Sequence, residues 1–187
     1  IFVAGWGGVI LHYDGTAWSP MDSGTTERLY GIWGVTHYGA AELAPTHIDV
    51  FAVGARGTVV HYDGDTWTPA TVGSTSVYFS AVWGTGPGDV YAAGPLASTD
   101  TSVTYHFNGA TWTETDTLEI DNLRGIWGVS SSNIYVVGND GAVFHYDGAS
   151  WSDMRSGPFA NISEIWGSSE TDIFAVGTGG VILHYDG

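Results

Sequence analysis

A phrase of four residues, His-Tyr-Asp-Gly, returns along this chain at His12, His61, His145 and His184, and as His-Phe-Asn-Gly at His106. The spacings are 49, 45, 39 and 39 residues. The same company surrounds each copy: a β-branched and aromatic run ending in Gly before it, a Trp shortly after it, and then Ile/Val-Trp-Gly. A period near 40 residues confines the chain to a repeat architecture. A unit that small cannot bury its own apolar face and must stack it on its neighbours.

The fourth copy shows what one unit contains. Ile134 to Val137 is a short β-branched and aromatic run closed by Gly138, and Ala142 to Tyr146 is a second. Asp147-Gly148 predicts a two-residue hairpin turn, Trp151 opens a third strand, and Ile162 to Trp166 forms a fourth. No segment sustains a 3.6-residue apolar period, so helices are not expected. Four short antiparallel strands per 40 residues predict an all-β fold, a β-propeller of four-stranded blades. In this reading strand A, with Ile-Trp-Gly, is innermost. Strand B follows the Asp, strand C ends in His-Tyr, and strand D opens at the Trp.

The repeats fall at 1–33, 34–83, 84–127, 128–166 and 167–187 within a single domain, the first lacking strand A and the last lacking strand D. Continuing the period from Gly187 back to Ile1 takes about 24 further residues. The expectation is a segment of a larger propeller, or a five-bladed ring with strands missing. Two insertions interrupt the period. One, between strands A and B, holds Thr36, His37, Tyr38, Glu42, Pro45 and His47 and reads as a loop. The other, between strands B and C, runs from Pro95 to Ser102. The two are expected on opposite faces of the disc.

Charge narrows the partners. The chain has 20 acidic residues, four Arg and no Lys, for a net charge of −16. That field repels nucleic-acid phosphates and anionic lipid, and favours cationic partners. With no Cys, disulfides, zinc–thiolate sites and cysteine nucleophiles are excluded. No apolar run approaches the length of a membrane span. No phosphate loop, nucleophile elbow or zinc spacing is present.

The run Gly54 to Trp67 resembles the blade motif of Asp-box (BNR-type) propellers, found in sialidases and in photosystem II assembly-factor-like proteins. The phrase Trp-Gly…Asp-Ile/Val-Phe/Tyr-Ala-Val-Gly also resembles propeller repeats of secreted bacterial proteins. The likeness covers nearly the whole chain and departs from the Asp-box at His61, where Ser or Thr is usual, and at Gly64, which follows Asp63 directly. It implies the propeller fold and an extracellular or cell-surface location.

Repetition separates structural residues from candidate functional ones. Trp33, Trp83, Trp127 and Trp166 close the A strands, and Trp18, Trp67, Trp112 and Trp151 open the D strands; equivalent aromatics in every blade are expected to pack between blades. The repeated His is expected to hydrogen-bond a neighbouring strand or turn, and the turn Asp to cap its own backbone. The Asp at the start of strand B (Asp49, Asp89, Asp172, with Asn133 as variant) reads as an acceptor for backbone N–H. Non-repeated residues carry the functional signal. Trp6 occupies a B–C turn where other copies have Ala55, Asn139 and Thr178. Tyr30, Arg124 and Glu164 stand on the innermost strand, among the small residues Gly31, Ser80, Ala81, Gly125 and Ser163, and point to an axial ligand site. His37 and Tyr38 mark the A–B insertion. Glu114, Asp116, Glu119 and Asp121 form an acidic stretch whose only cofactor reading is a calcium site, weaker than that of a solvated edge; no other cofactor is expected.

These residues favour a non-catalytic binding propeller that recognises carbohydrate or a protein surface. The alternatives are a structural docking platform and a fragment of a sialidase-like glycosidase. The last requires arginines gripping a carboxylate, whereas Arg28, Arg56, Arg124 and Arg155 are spread along the chain.

Overall fold

A computed structural model describes residues 1–38, 45–155 and 160–187. The chain folds as a β-propeller of five antiparallel sheets. Sheet I contains β1 (Phe2–Ala4), β2 (Ile10–Tyr13) and β3 (Trp18–Met21). Sheet II contains β4 (Leu29–Tyr38), β5 (Pro45–Gly54), β6 (Thr58–Tyr62) and β7 (Trp67–Thr71). Sheet III contains β8 (Ala81–Gly86), β9 (Asp89–Pro95), β10 (Ser102–Phe107) and β11 (Trp112–Leu118). Sheet IV contains β12 (Leu123–Ser130), β13 (Asn133–Gly138), β14 (Val143–Tyr146) and β15 (Trp151–Asp153). Sheet V contains β16 (Ile162–Ser169), β17 (Asp172–Gly177) and β18 (Ile182–Tyr185). Among the described residues the helical content is four single 3-10 turns, at residues 6–8, 55–57, 139–141 and 178–180.

The core lies between sheets. Successive residues of a strand face opposite sides, and here both sides are apolar. Phe51, Val53 and Val59 of sheet II pack with Val82, Val90 and Val103 of sheet III. Their neighbours Ala52 and Val60 pack instead with Ile10 and Leu29 on the side of sheet I. The strands therefore read as continuous Val, Ile, Phe and Ala runs without polar alternation.

Ile-Trp-Gly locks each inner strand onto the next. A methyl group on Gly84 would meet Trp33 Cη2 at 3.1 Å, one on Gly128 would meet Trp83 Cη2 at 2.9 Å, and one on Gly167 would meet Trp127 Cη2 at 2.6 Å. Each Gly leaves a recess that the preceding blade's indole fills. Trp127 is 8% exposed, whereas Trp166, on the last inner strand, is 60% exposed. Trp18 in the first sheet is also exposed, so inter-blade packing accounts for the interior indoles and not for these two.

In sheets II to V a His–Asp strut, or His–Asn in sheet IV, ties the B strand to the C strand. The Nε2 atoms of His61, His106 and His184 lie 2.6, 2.7 and 2.9 Å from Asp49, Asp89 and Asp172, and His145 Nε2 lies 2.9 Å from Asn133 Oδ1. Each imidazole also stacks on its cross-strand aromatic, as His61 does on Phe51 at 4.2 Å between ring centres. The expected backbone N–H partner of the B-strand Asp is thus replaced by an imidazole. Asn substitutes at 133 because its amide oxygen accepts the same bond.

Two local expectations are revised. The Asp-Gly turns are four-residue loops: Tyr13 pairs with Trp18, and of residues 14–17 Gly15 alone has positive φ (105°). Asp14 Oδ1 accepts hydrogen bonds from the backbone N–H groups of Thr16 and Ala17 at 2.7 and 2.9 Å, so the carboxylate shapes the loop that a two-residue turn would have left to Gly. The A–B insertion, read as a loop, continues the sheet: β4 and β5 run ten residues each, and His37 lies directly opposite His47. Alternating Val, Thr, His and Ile residues supply a strand-forming surface there that outweighs the insertion's length.

Candidate functional site

The inner strands β4, β8, β12 and β16 stand side by side around the axis. Ser80 Oγ donates to Leu123 O at 2.5 Å, and a methyl on Gly31 would lie 3.2 Å from Ser80 O. Gly31, Ala81 and Gly125 permit this approach because larger side chains would meet the adjacent backbone. Where the inner strands begin, the space between them opens into a cavity of about 430 Å³ bounded by Tyr30, Tyr78, Pro95, Asn122, Arg124 and Ser163. It continues inward as a more polar well of about 230 Å³, reached by Tyr30, Ser80, Arg124 and Glu164.

Tyr30, Arg124 and Glu164 therefore come together, as their departures from the repeat suggest. Tyr30 is 47% exposed. Arg124 Nε donates to Asn139 Oδ1 at 2.8 Å, and Asn139 Nδ2 donates to Asp121 Oδ2 at 3.1 Å, so the guanidinium is drawn toward the B–C turn of its own sheet. Glu164 leans over Gly125 and accepts a hydrogen bond from Ile165 N at 3.3 Å. Desolvation by the surrounding inner strands raises its carboxyl above the usual range, outweighing that bond.

Trp6 lies on the same face in the first B–C turn, outside the cavity lining. It is 70% exposed, and Arg28 places its guanidinium carbon 3.7 Å from the ring centre. That cation–π contact covers one face of the indole. All four arginines have partners: Arg56 Nε is 3.7 Å from Glu27, and Arg155 forms a forked bond with Asp153 that holds the acid below and the base above their ordinary pKa ranges.

His37 lies at the other end of the disc. The side chain of Tyr38 lies outside the described residues. His37 Nε2 and His47 Nε2 approach Asp49 Oδ2 at 3.1 and 3.0 Å, and His61 approaches Oδ1 at 2.6 Å. Asp49 is 5% exposed, so three imidazoles surround one buried carboxylate, with the His nitrogens directed at its oxygens. Among the described residues, no group of three His, Cys, Asp or Glu side chains is arranged to hold a metal ion. In the acidic stretch, Glu114 Oε2 accepts from Tyr105 OH at 2.7 Å, and a bulge at Thr115 interrupts the alternation that would have aligned Glu114 with Asp116.

Tyr78 and Asn122 were not anticipated at the mouth. They stand five residues before Trp83 and Trp127, where the other copies have Arg28 and Asn161. Comparing that column, as for the two columns nearer the Trp, would have exposed the variation. A smaller apolar cavity of about 260 Å³ lies between sheets IV and V against Tyr135, Ile165, Ile173 and Ala175, whose side chains are part of the inter-blade core.

The fold and axial mouth define the class: a β-propeller with an open polar cavity at its axis. No protein-family model and no curated protein sequence matches the chain. Among solved structures it is similar to YCF48 from Cyanidioschyzon merolae, with a TM-score of 0.67, 14% identity and coverage of 98% of this chain and 65% of that one. It is also similar to YCF48 bound to D1 peptide, with a TM-score of 0.64, 16% identity and coverage of 97% and 58%. The chain thus spans less than two thirds of the length of either.

Proposed function

We propose that the protein is a non-catalytic interaction propeller that binds a segment of a partner polypeptide at the axial mouth. The observation that carries this reading is the mouth itself: Tyr30, Tyr78 and Pro95 form an apolar and aromatic rim above a polar well. Aromatic rings offer large contact area at small entropic cost, and polar groups at depth supply orientation. The similar YCF48 structure bound to D1 peptide supports a propeller of this shape taking a peptide. The arginines support a non-enzyme: each is engaged in a separate local contact, and they do not converge on one pocket as sialidase-like chemistry requires.

Selection from a displayed library of unstructured peptides tests the reading. Bound peptides should lose about tenfold or more in affinity on combined Tyr30→Ala and Tyr78→Ala substitution, with the far-ultraviolet circular dichroism unchanged. Peptide binding indifferent to both tyrosines overturns it. A glycan array showing hits that vanish with Trp6→Ala would transfer the assignment to carbohydrate recognition.

A further inference from the structure

We propose that the axial well accepts the ammonium group of a lysine side chain presented by the bound polypeptide, with Glu164 as its counter-ion. This inference rests on the peptide-binding reading and names the chemistry of the residue that enters.

Glu164 is a carboxylate without a cation. The chain has no lysine, and its four arginines are committed elsewhere: Arg28 to Trp6, Arg56 to Glu27, Arg124 to Asn139 and Arg155 to Asp153. Arg124 lines the same well, yet it makes no ion pair with Glu164, and its side chain is held toward Asn139 and Asp121. The one hydrogen bond from Ile165 N leaves most of the carboxylate's acceptor capacity unused. Small residues isolate it, since Gly31, Ala81 and Gly125 replace the side chains that would fill the axis. Within the well Ser80, immediately before β8, contributes a hydroxyl that already donates its proton to Leu123 O and therefore faces a guest as an acceptor.

The well's shape selects among cations. A guanidinium pairs best with both oxygens of a carboxylate at once, and Ile165 N already occupies Glu164 Oε1, whereas a compact ammonium can divide its three donors between the free oxygen and the Ser80 hydroxyl. Calcium needs six or more oxygen ligands, and a single carboxylate does not provide them. A lysine stem is apolar and suits a path along Tyr30, which lines both the mouth and the well that holds the acid. The net charge of −16 steers such a cationic segment toward the protein.

The test uses the peptides selected on the wild-type chain, measured by fluorescence anisotropy against wild type and Glu164→Gln, an isosteric change that removes the charge. The expected result is enrichment of lysine at one position, a loss of about tenfold or more on Nε-acetylation of that lysine, and a similar loss with Glu164→Gln. Acetylation should have no further effect in the Gln variant. Peptides that require Tyr30 and Tyr78 but carry no lysine, or that bind Glu164→Gln equally well, overturn the lysine assignment and leave peptide binding intact. Peptides that ignore the tyrosines overturn both.

Discussion

The indole of Trp127 occupies the space that a side chain on Gly167 would need: a methyl there would lie 2.6 Å from Trp127 Cη2 and 2.8 Å from Asp172 O. Neither neighbour can retreat, since the indole is buried between blades and the carbonyl belongs to the paired strand β17. Gly167→Ala should therefore cost about 1–3 kcal/mol by overpacking. Trp127→Ala should cost about 3–5 kcal/mol by opening a cavity. The repeat-equivalent Trp166→Ala, on an indole that stands mostly in solvent, should cost less than about 1 kcal/mol. Urea unfolding of the three variants checks the order. Equal losses at Trp127 and Trp166 would contradict the inter-blade role of the indole.

Asp49 serves three imidazoles where Asn133 serves one. Removing it by Asp49→Ala should cost about 3 kcal/mol, against about 1 kcal/mol for Asn133→Ala. Asp49→Asn should fall between, because one amide oxygen replaces two carboxylate oxygens. Thermal or urea unfolding measures all three, and a Asp49→Ala penalty no larger than that at Asn133 would show that the extra histidines contribute nothing to the hairpin.

The turn acids fix an acid limit. Thr16 Oγ1 and the N–H groups of Ala17 and Thr16 hold Asp14 down at about 2, and backbone N–H groups lower Asp63 and Asp147 in the same way. An acid depressed in the folded state adds stability that is complete above its unfolded pKa, near 4, and is lost as the pH falls through the folded value. Asn108 holds the equivalent turn without titrating, accepting from Ala110 N and Thr111 N at 3.0 Å each. Combined Asp14→Asn, Asp63→Asn and Asp147→Asn substitution should keep the turns and flatten the decline in melting temperature between about pH 4 and pH 2. An unchanged slope would place the acid sensitivity elsewhere.

Glu164 works in the opposite sense. Its carboxyl is raised by desolvation, so its ionisation opposes folding above the folded pKa, and the penalty disappears once both states are protonated. Glu164→Gln should raise the melting temperature at pH 7, and the gain should shrink as the pH falls below the ordinary carboxylate range. A variant less stable than wild type at pH 7 would show that the folded chain already supplies the charge with a partner.

The repeated phrases of this sequence determined the strand order and the class of fold. Their physical content is local: β-branched and aromatic runs between Gly, and an Asp or Asn at each turn, dictate short antiparallel strands wherever they occur. The departures from repetition at Tyr30, Arg124 and Glu164 were equally legible, because a column of small residues interrupted by large ones can be read without coordinates. Tertiary structure decided what those departures mean. The side-by-side packing of neighbouring A strands joined Tyr30, Arg124 and Glu164, of which the first and last are 134 positions apart in sequence, into one cavity and brought Tyr78 and Asn122 to the rim of the mouth. It also turned the A–B insertion into a paired extension and gathered three imidazoles around Asp49. Such convergence depends on how blades twist and abut around an axis, a relation between distant segments that no single repeat encodes.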